Sequence, residues 1–306
     1  MKKSVSQFLL ILLLLTACTP SAASDTTNSP ISFQDALNRT VTLDAPAQKI
    51  ISLAPSNTEI LFALNAGSQV IARDDFSNYP AEAQNLPSIG DTMGTISLEK
   101  ITSLQPDLVL ASPLTAPEQI SSIEGLGLVV FMLPNPESFE ELFKNLAVVG
   151  SLTGHEKDAA SLVETLNKRV ADIDNKLVNA SGKPLVFYEL DATEPAKPWT
   201  AGPGTFVDYL IQKAGGTNLG ANLSGEWIQI SQEQLIVQNP EVILLGDSLY
   251  GGITVEQVAS RSGWSEIKAV KEQKVFPFND DLVSRPGPRM VDGLEELAKI
   301  LHPEIF

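Results

Sequence analysis

The sequence has little of what redox and metal chemistry need. Its 306 residues include one cysteine, Cys18, and two histidines, His155 and His302. A single cysteine excludes an intramolecular disulfide framework. His155 opens a helical run and His302 stands beside Pro303, so they form no His/carboxylate cluster for free Mn2+ or Zn2+. No Gly-x-Ser-x-Gly elbow is present, and no Gly-x-Gly-x-x-Gly follows the first strand. Nucleophilic catalysis requires a Ser or Cys beside a base, and neither histidine falls where it could serve. We therefore read a protein that binds rather than catalyses, with no catalytic residue, resident cofactor or metal. Basic residues are also scarce: 21 Lys and Arg against 37 Asp and Glu, a net charge of −16. That excludes nucleic acid as a partner and suits docking on a basic protein surface. No stretch after the N-terminal leader is long and apolar enough to cross a membrane.

The leader itself is present. Lys2 and Lys3 precede an apolar run over residues 8–15, then Leu15-Thr16-Ala17-Cys18. A basic segment and a short apolar one make a secretory signal over residues 1–17. Leu-Thr-Ala-Cys resembles a bacterial lipobox, which would make Cys18 the lipidated first residue and hold the chain to a membrane on its extracytoplasmic side. Residues 18–30, mostly Ser, Thr, Ala, Pro and Asn, read as a flexible tether.

One segment occurs twice. Ser97-Leu98-Glu99-Lys100-Ile101 leads through Gln105-Pro106-Asp107 into Leu108-Val109-Leu110. Ser231-Gln232-Glu233-Gln234-Leu235 leads, 134 positions later, through Asn239-Pro240-Glu241 into Val242-Ile243-Leu244. Each copy predicts a helix capped by Ser97 or Ser231, with Glu99 or Glu233 in the first turn, where a negative charge suits the helix dipole. Pro106 and Pro240 end the helices and are expected to hold the preceding residue extended. The aliphatic runs that follow read as buried parallel strands. A repeat this long means two comparable halves.

In chain order, residues 31–43 predict a β-hairpin turning at Asn38-Arg39, and residues 49–53 the first parallel strand. A helix over 58–65, stopped at Ala66-Gly67, and a strand over 70–72 follow. A polar loop, 74–80, carries Phe76 and Tyr79. After the first repeat come a helix near 116–124, a strand over 129–133 and a helix over 138–149. Apolar residues Ala159, Leu162, Leu166, Val170, Ile173 and Leu177 recur at helical spacing. They predict a rigid connector of about 25 residues, roughly 38 Å long. The second half adds a strand over 183–190, a Pro/Trp/Gly-rich loop over 193–204 and a helix over 205–213 stopped at Gly215-Gly216. It closes with a helix near 255–261, a strand over 274–278, a loop over 280–288 and a helix over 289–301. The fold class is α/β: two lobes with parallel central sheets joined by one long helix. The divisions are an N-terminal lobe over 31–152, a connecting helix over 153–179 and a C-terminal lobe over 180–306.

Several segments together carry a family resemblance: the lipobox, the hairpin, Ser52-Leu53-Ala54-Pro55-Ser56-Asn57-Thr58-Glu59, Asp75-Phe76-Ser77-Asn78-Tyr79-Pro80, and Arg285-Pro286-Gly287-Pro288-Arg289 near the end. With the first repeat and the mid-chain helix, the chain resembles the substrate-binding lipoproteins of ABC importers for cobalamin, haem and iron-siderophores, above all the cobalamin-binding branch. The resemblance spans residues 31–306. It implies a ligand cleft between the two lobes, in a monomer with little hinge closure. It also implies that Glu99 and Glu233, one per lobe, dock on arginines of a permease that works with ATPase subunits.

Cleft residues come from loops at the carboxyl ends of the strands. Read on their own, Phe76 and Tyr79 lie on one such loop, and Trp199 and Trp227 lie on polar, Gly-rich loops. Asp281, Arg285 and Arg289 cluster in the last loop. A corrin or other tetrapyrrole offers a large apolar face to aromatic side chains, and its rim needs a few placed polar groups. The resemblance assigns ligand contacts to Phe76, Trp199, Trp227 and Arg289, and Asp281 and Arg285 join them as candidates by their place in the last loop. Where the best-known cobalamin binder has extra tryptophans, this chain has Met93 and Ser112, and Met93 can still cover a ring face. The expected ligand is cobalamin or a related corrinoid. The alternative is haem, which asks for an axial His or Tyr, or a ferric siderophore.

Overall fold

The structure, a computed structural model, describes residues 30–306. The signal segment, Cys18 and the tether up to residue 29 lie outside the described residues.

Strands Ile31–Gln34 (β1) and Thr40–Leu43 (β2) pair antiparallel with Phe33 opposite Val41, and Asn38 turns the hairpin at a φ of 58°. The N-terminal lobe then alternates strand and helix: β3 (Ile50–Ser52), α1 (Pro55–Ala63), β4 (Val70–Arg73), α2 (Leu98–Leu104), β5 (Leu108–Ala111), α3 (Pro117–Glu124), β6 (Val130–Met132) and α4 (Phe139–Thr153). α5 (Glu156–Leu177) follows. The C-terminal lobe runs β7 (Leu185–Glu189), β8 (Trp199–Ala201), α6 (Phe206–Lys213), β9 (Thr217–Asn218), β10 (Trp227–Gln229), α7 (Gln232–Gln238), β11 (Val242–Leu245), α8 (Ser248–Gly251), α9 (Val255–Ala259), α10 (Lys268–Lys271), β12 (Val275–Pro277), α11 (Asp281–Ser284) and α12 (Met290–Leu301).

The two central sheets share one topology. The first is ordered β4-β3-β5-β6 and the second β9-β7-β11-β12, every pairing parallel. Each lobe thus places its second sheet strand outside its first, then continues in the other direction. The duplicated segments occupy equivalent places, α2 leading into β5 and α7 into β11. Ser97 Oγ accepts from the Lys100 amide at 3.3 Å, and Ser231 Oγ from the Gln234 amide at 3.2 Å.

Several local expectations are corrected. Gln105 and Asn239, before the two prolines, are left-handed rather than extended, at φ 48° and 52°; this conformation ends each helix at once. α1 starts at Pro55, because proline suits a first helical turn, and its end is turned by Asn65 at φ 60° rather than by Gly67. Trp199 and Trp227 do not lie on loops: β8 and β10 form a small antiparallel ribbon. Residues 280–288 include the single helical turn α11.

α5 carries both lobes. It packs on α4 from one lobe and α12 from the other. Gly154, at φ 77°, turns the chain between α4 and α5. Gly150 lets the two helices touch, since a Cβ there would come within 2.7 Å of the Ala159 Cβ. Ala159, Leu166, Val170 and Ile173 are buried in one apolar cluster that runs from Ile50, Leu61 and Leu146 to Leu210, Leu294 and Leu297. The outer face of each sheet has its own smaller cluster, around Ile89 and Val109 in one lobe and Trp264 and Ile243 in the other. Among the described residues no helix is long and apolar enough to cross a membrane.

Candidate ligand cleft

Both sheets send the loops at their strand carboxyl ends toward one region, where the N- and C-terminal lobes meet. The loop after β4 is pinned from below: Ser77 Oγ donates to the buried Asp74 carboxyl, and Thr58 Oγ1 bonds both Ser77 Oγ and Ser52 Oγ at 2.8 Å. Burial lifts the Asp74 carboxyl above its ordinary range, and its bond from Ser77 opposes this. With its base fixed, the loop leaves Phe76 43% and Tyr79 44% exposed.

The ribbon supplies the opposite aromatic pair. Trp227 stands opposite Ala201 and Gln229 opposite Trp199. Alternation along a strand therefore puts both tryptophans on one face, diagonal to each other. They are 39% and 44% exposed. The Trp199 amide donates to the Asp191 carbonyl at 2.8 Å, which ties the ribbon to the end of β7. Met93 is largely exposed on a turn whose amide bonds Asp91 Oδ1 at 2.8 Å. Ser112 is buried, and Leu114 beside it takes the exposed place.

The charged residues of the last loop make a network across the lobes. Glu59 on α1 is buried, yet Arg289 Nε donates to its Oε2 at 2.8 Å and Arg289 Nη2 to its Oε1. Arg285 Nη1 donates to Asn78 Oδ1 at 2.6 Å and Arg285 Nη2 pairs with Asp281 Oδ1 at 3.0 Å. Tyr250 donates to the same Asp281 oxygen at 2.9 Å. The Arg289 guanidinium lies 3.9 Å from the centre of the Tyr79 ring, within cation–π range. Burial alone would lower the Arg289 pKa, but the Glu59 carboxylate bonded to it raises it above the ordinary arginine value.

Asp281, Arg285 and Arg289 are thus brought together beside Tyr79, with much of their bonding capacity spent on each other and on Glu59. Glu59 is the residue of this network that the sequence reading did not single out. The available signal was an acid inside Thr58-Glu59-Ile60-Leu61, a helix otherwise buried at those positions. Glu99 and Glu233 sit apart from this network, exposed in the first turns of α2 and α7. A helix leading into a parallel strand begins at the strands' carboxyl edge, so each lobe shows one carboxylate on that side. Its own first-turn amide, then the Ser231 hydroxyl, hold the Glu233 carboxyl below its ordinary range. His155 pairs with Asp158 at 3.0 Å, and His302 is buried against the Gly215 carbonyl. Cys18 lies outside the described residues.

Comparison with known proteins agrees with this architecture. The family described as periplasmic binding protein matches residues 50–282. YvrC of Bacillus subtilis, an uncharacterized ABC transporter substrate-binding lipoprotein, is 34% identical over 280 residues, covering 90% of this chain and 87% of YvrC. The crystal structure of the periplasmic vitamin B12 binding protein BtuF of Vibrio cholerae is 27% identical, with a TM-score of 0.72 over 84% of this chain and 97% of BtuF. The periplasmic heme-binding protein RhuT from Roseiflexus, in apo form, is 26% identical, with a TM-score of 0.76 over 85% of this chain and 100% of RhuT.

Proposed function

The chain belongs to the periplasmic binding protein family of ABC importers, and from that premise we propose that it captures cobalamin or a related corrinoid outside the cytoplasm and delivers it to a membrane permease. The observation that carries the ligand is the placement of exposed aromatics at the strand carboxyl ends of both lobes, Phe76 on one and Trp199 with Trp227 on the other. Solvent-facing aromatic side chains of this kind offer large apolar area to a flat ring. Met93, Asp281, Arg285 and Arg289 complete the rim, the arginines exchanging part of their present pairing for ligand amides.

Glu99 and Glu233 are the proposed contacts to basic residues of the permease, which works with its ATPase subunits. One exposed carboxylate on each lobe, on the same edge as the cleft, supports that reading. Lipid on Cys18 would hold the protein at the membrane while it works as a monomer.

The likeness to RhuT favours haem, or a ferric siderophore, as the second reading. Against haem, both histidines are engaged elsewhere, Tyr79 lies under Arg289, and the Tyr250 hydroxyl is bonded to Asp281. Calorimetry on the soluble domain separates the two. Heat with cobalamin or cobinamide supports the corrinoid, whereas heat with haem or a ferric siderophore alone overturns it.

A further inference from the structure

The C-terminal lobe holds a cavity that the aromatic rim does not use. It has a volume of about 330 Å3, and Leu190, Asp191, Gly246, Asp247, Tyr250 and Asp280 are among the residues that line it. It lies where the ends of β7 and β11 diverge. That is the point at which the strand order β9-β7-β11-β12 reverses, the place where open parallel sheets admit ligands. The equivalent point of the N-terminal lobe is closed. There Asn57, fully buried, donates to the Leu110 and Ala111 carbonyls at 3.1 and 2.9 Å and fills the crevice between β3 and β5.

The wall of the crevice contains an unspent acceptor. Asp247 is only 8% exposed. Its Oδ2 accepts from the Ala192 amide at 3.1 Å, while its Oδ1 is buried without a hydrogen-bond partner. The other lining carboxylates are committed: Asp280 accepts from Tyr188 and from Ser284 Oγ, and Asp191 Oδ1 from the Thr193 amide at 2.6 Å. The remaining charges near Asp247 are Glu189, paired with Arg261 through both oxygens, and Asp281 behind Tyr250. Burial, then the Glu189 charge, lift the Asp247 carboxyl to about 7. No group of three His, Cys, Asp or Glu among the described residues is placed to hold a metal ion. An acid-lined crevice with a free acceptor and no metal geometry calls for an N–H donor and disfavours a ligand carboxylate, since an unpaired buried acceptor is costly and like charges repel.

We propose that this crevice receives a carboxamide arm of the ligand held in the cleft, with Asp247 Oδ1 accepting from its N–H2 group. Asp247 is then a specificity-determining residue that admits amide-bearing rings and rejects carboxylate-bearing ones. The assignment rests on the corrinoid reading and deepens it. Tyr250 and Asp280 join the crevice to the network at the lobe junction, so an arm can reach it from a ring lying against Trp199.

The test titrates the soluble protein with dicyanocobinamide, whose arms are amides, and dicyanocobyrinic acid, whose arms are carboxylates. The wild type is expected to prefer the amide form at least tenfold. Asp247→Leu should weaken the amide form about tenfold without weakening the carboxylate form, collapsing that preference. Asp247→Asn retains an acceptor and the shape, so it should keep most of the amide-form affinity. It should lose, however, the severalfold rise in affinity that the wild type shows from pH 6 to pH 8 as Asp247 ionises. Amide-form affinity within twofold in Asp247→Leu, or identical pH profiles in wild type and Asp247→Asn, overturns the assignment and leaves the corrinoid reading standing. Binding of haem with neither corrin overturns both.

Discussion

Arg289 and Glu59 are 230 residues apart in sequence and joined through two hydrogen bonds, one from Arg289 Nε to Glu59 Oε2 at 2.8 Å. The pair fastens the start of α12 to α1, and so the C-terminal lobe to the N-terminal one. Removing one partner of a buried pair leaves the other charge uncompensated. Glu59→Gln is expected to destabilise the fold by about 2–4 kcal/mol, less than a truncation because the amide retains one acceptor. Glu59→Met with Arg289→Met should cost less than either single change. Urea unfolding of the wild type, Glu59→Met, Arg289→Met and the double variant checks this, and additive losses would show that the two side chains do not act as a pair.

The tryptophans of the ribbon test the ligand face. Trp199→Ala and Trp227→Ala should each weaken corrinoid binding by at least about 1 kcal/mol. Both side chains are substantially exposed, so thermal stability should change little, within about 0.5 kcal/mol. A large loss of stability with unchanged affinity would return the residue to a packing role.

The docking role proposed for the two glutamates is separable from capture. Glu99→Arg combined with Glu233→Arg should leave ligand affinity in calorimetry unchanged and abolish uptake in cells that depend on this importer. Loss of ligand affinity in the double variant would place the glutamates in the cleft instead.

Asp247 gives the fold a pH signature. Its carboxyl is lifted from 3.8 to about 7 by burial and by Glu189, so the folded protein holds a proton that the unfolded chain releases. The resulting stability is full below about pH 4 and is lost as the pH rises through 7. Between pH 5 and pH 8 the wild type should lose on the order of 2–3 kcal/mol relative to Asp247→Asn. Urea unfolding of both proteins at the two pH values measures that difference, and parallel curves would mean that Asp247 ionises freely in the fold.

What was legible in the sequence follows the range of each interaction. Ser97 and Ser231 act three residues along the chain, and the helix periodicity of α5 within a single element, so both could be read directly. The repeat located two equivalent lobes because it is itself a sequence relation, and the shared strand order is its structural counterpart. The left-handed Gln105 and Asn239 escaped because the proline rule disfavours only the right-handed helical conformation and leaves the choice among the others to helix termination. The ribbon escaped because β8 and β10 have three residues each, too few for an alternating pattern to show. Glu59 and Asp247 escaped for a different reason. Each is explained by residues far away in sequence, Arg289 for one and the diverging strands of an open crevice for the other. Nothing in the neighbouring residues of either acid points to those distant partners.

The spine formed by α5 has a mechanical consequence. Its apolar face belongs to a core continuous with both lobes, so bending it to swing the lobes apart would open packed interior rather than flex a linker. A receptor of this build spends little of its binding free energy on moving its own parts, and its affinity reports contact with the cargo almost directly. Leverage applied to one lobe alone would carry the other along.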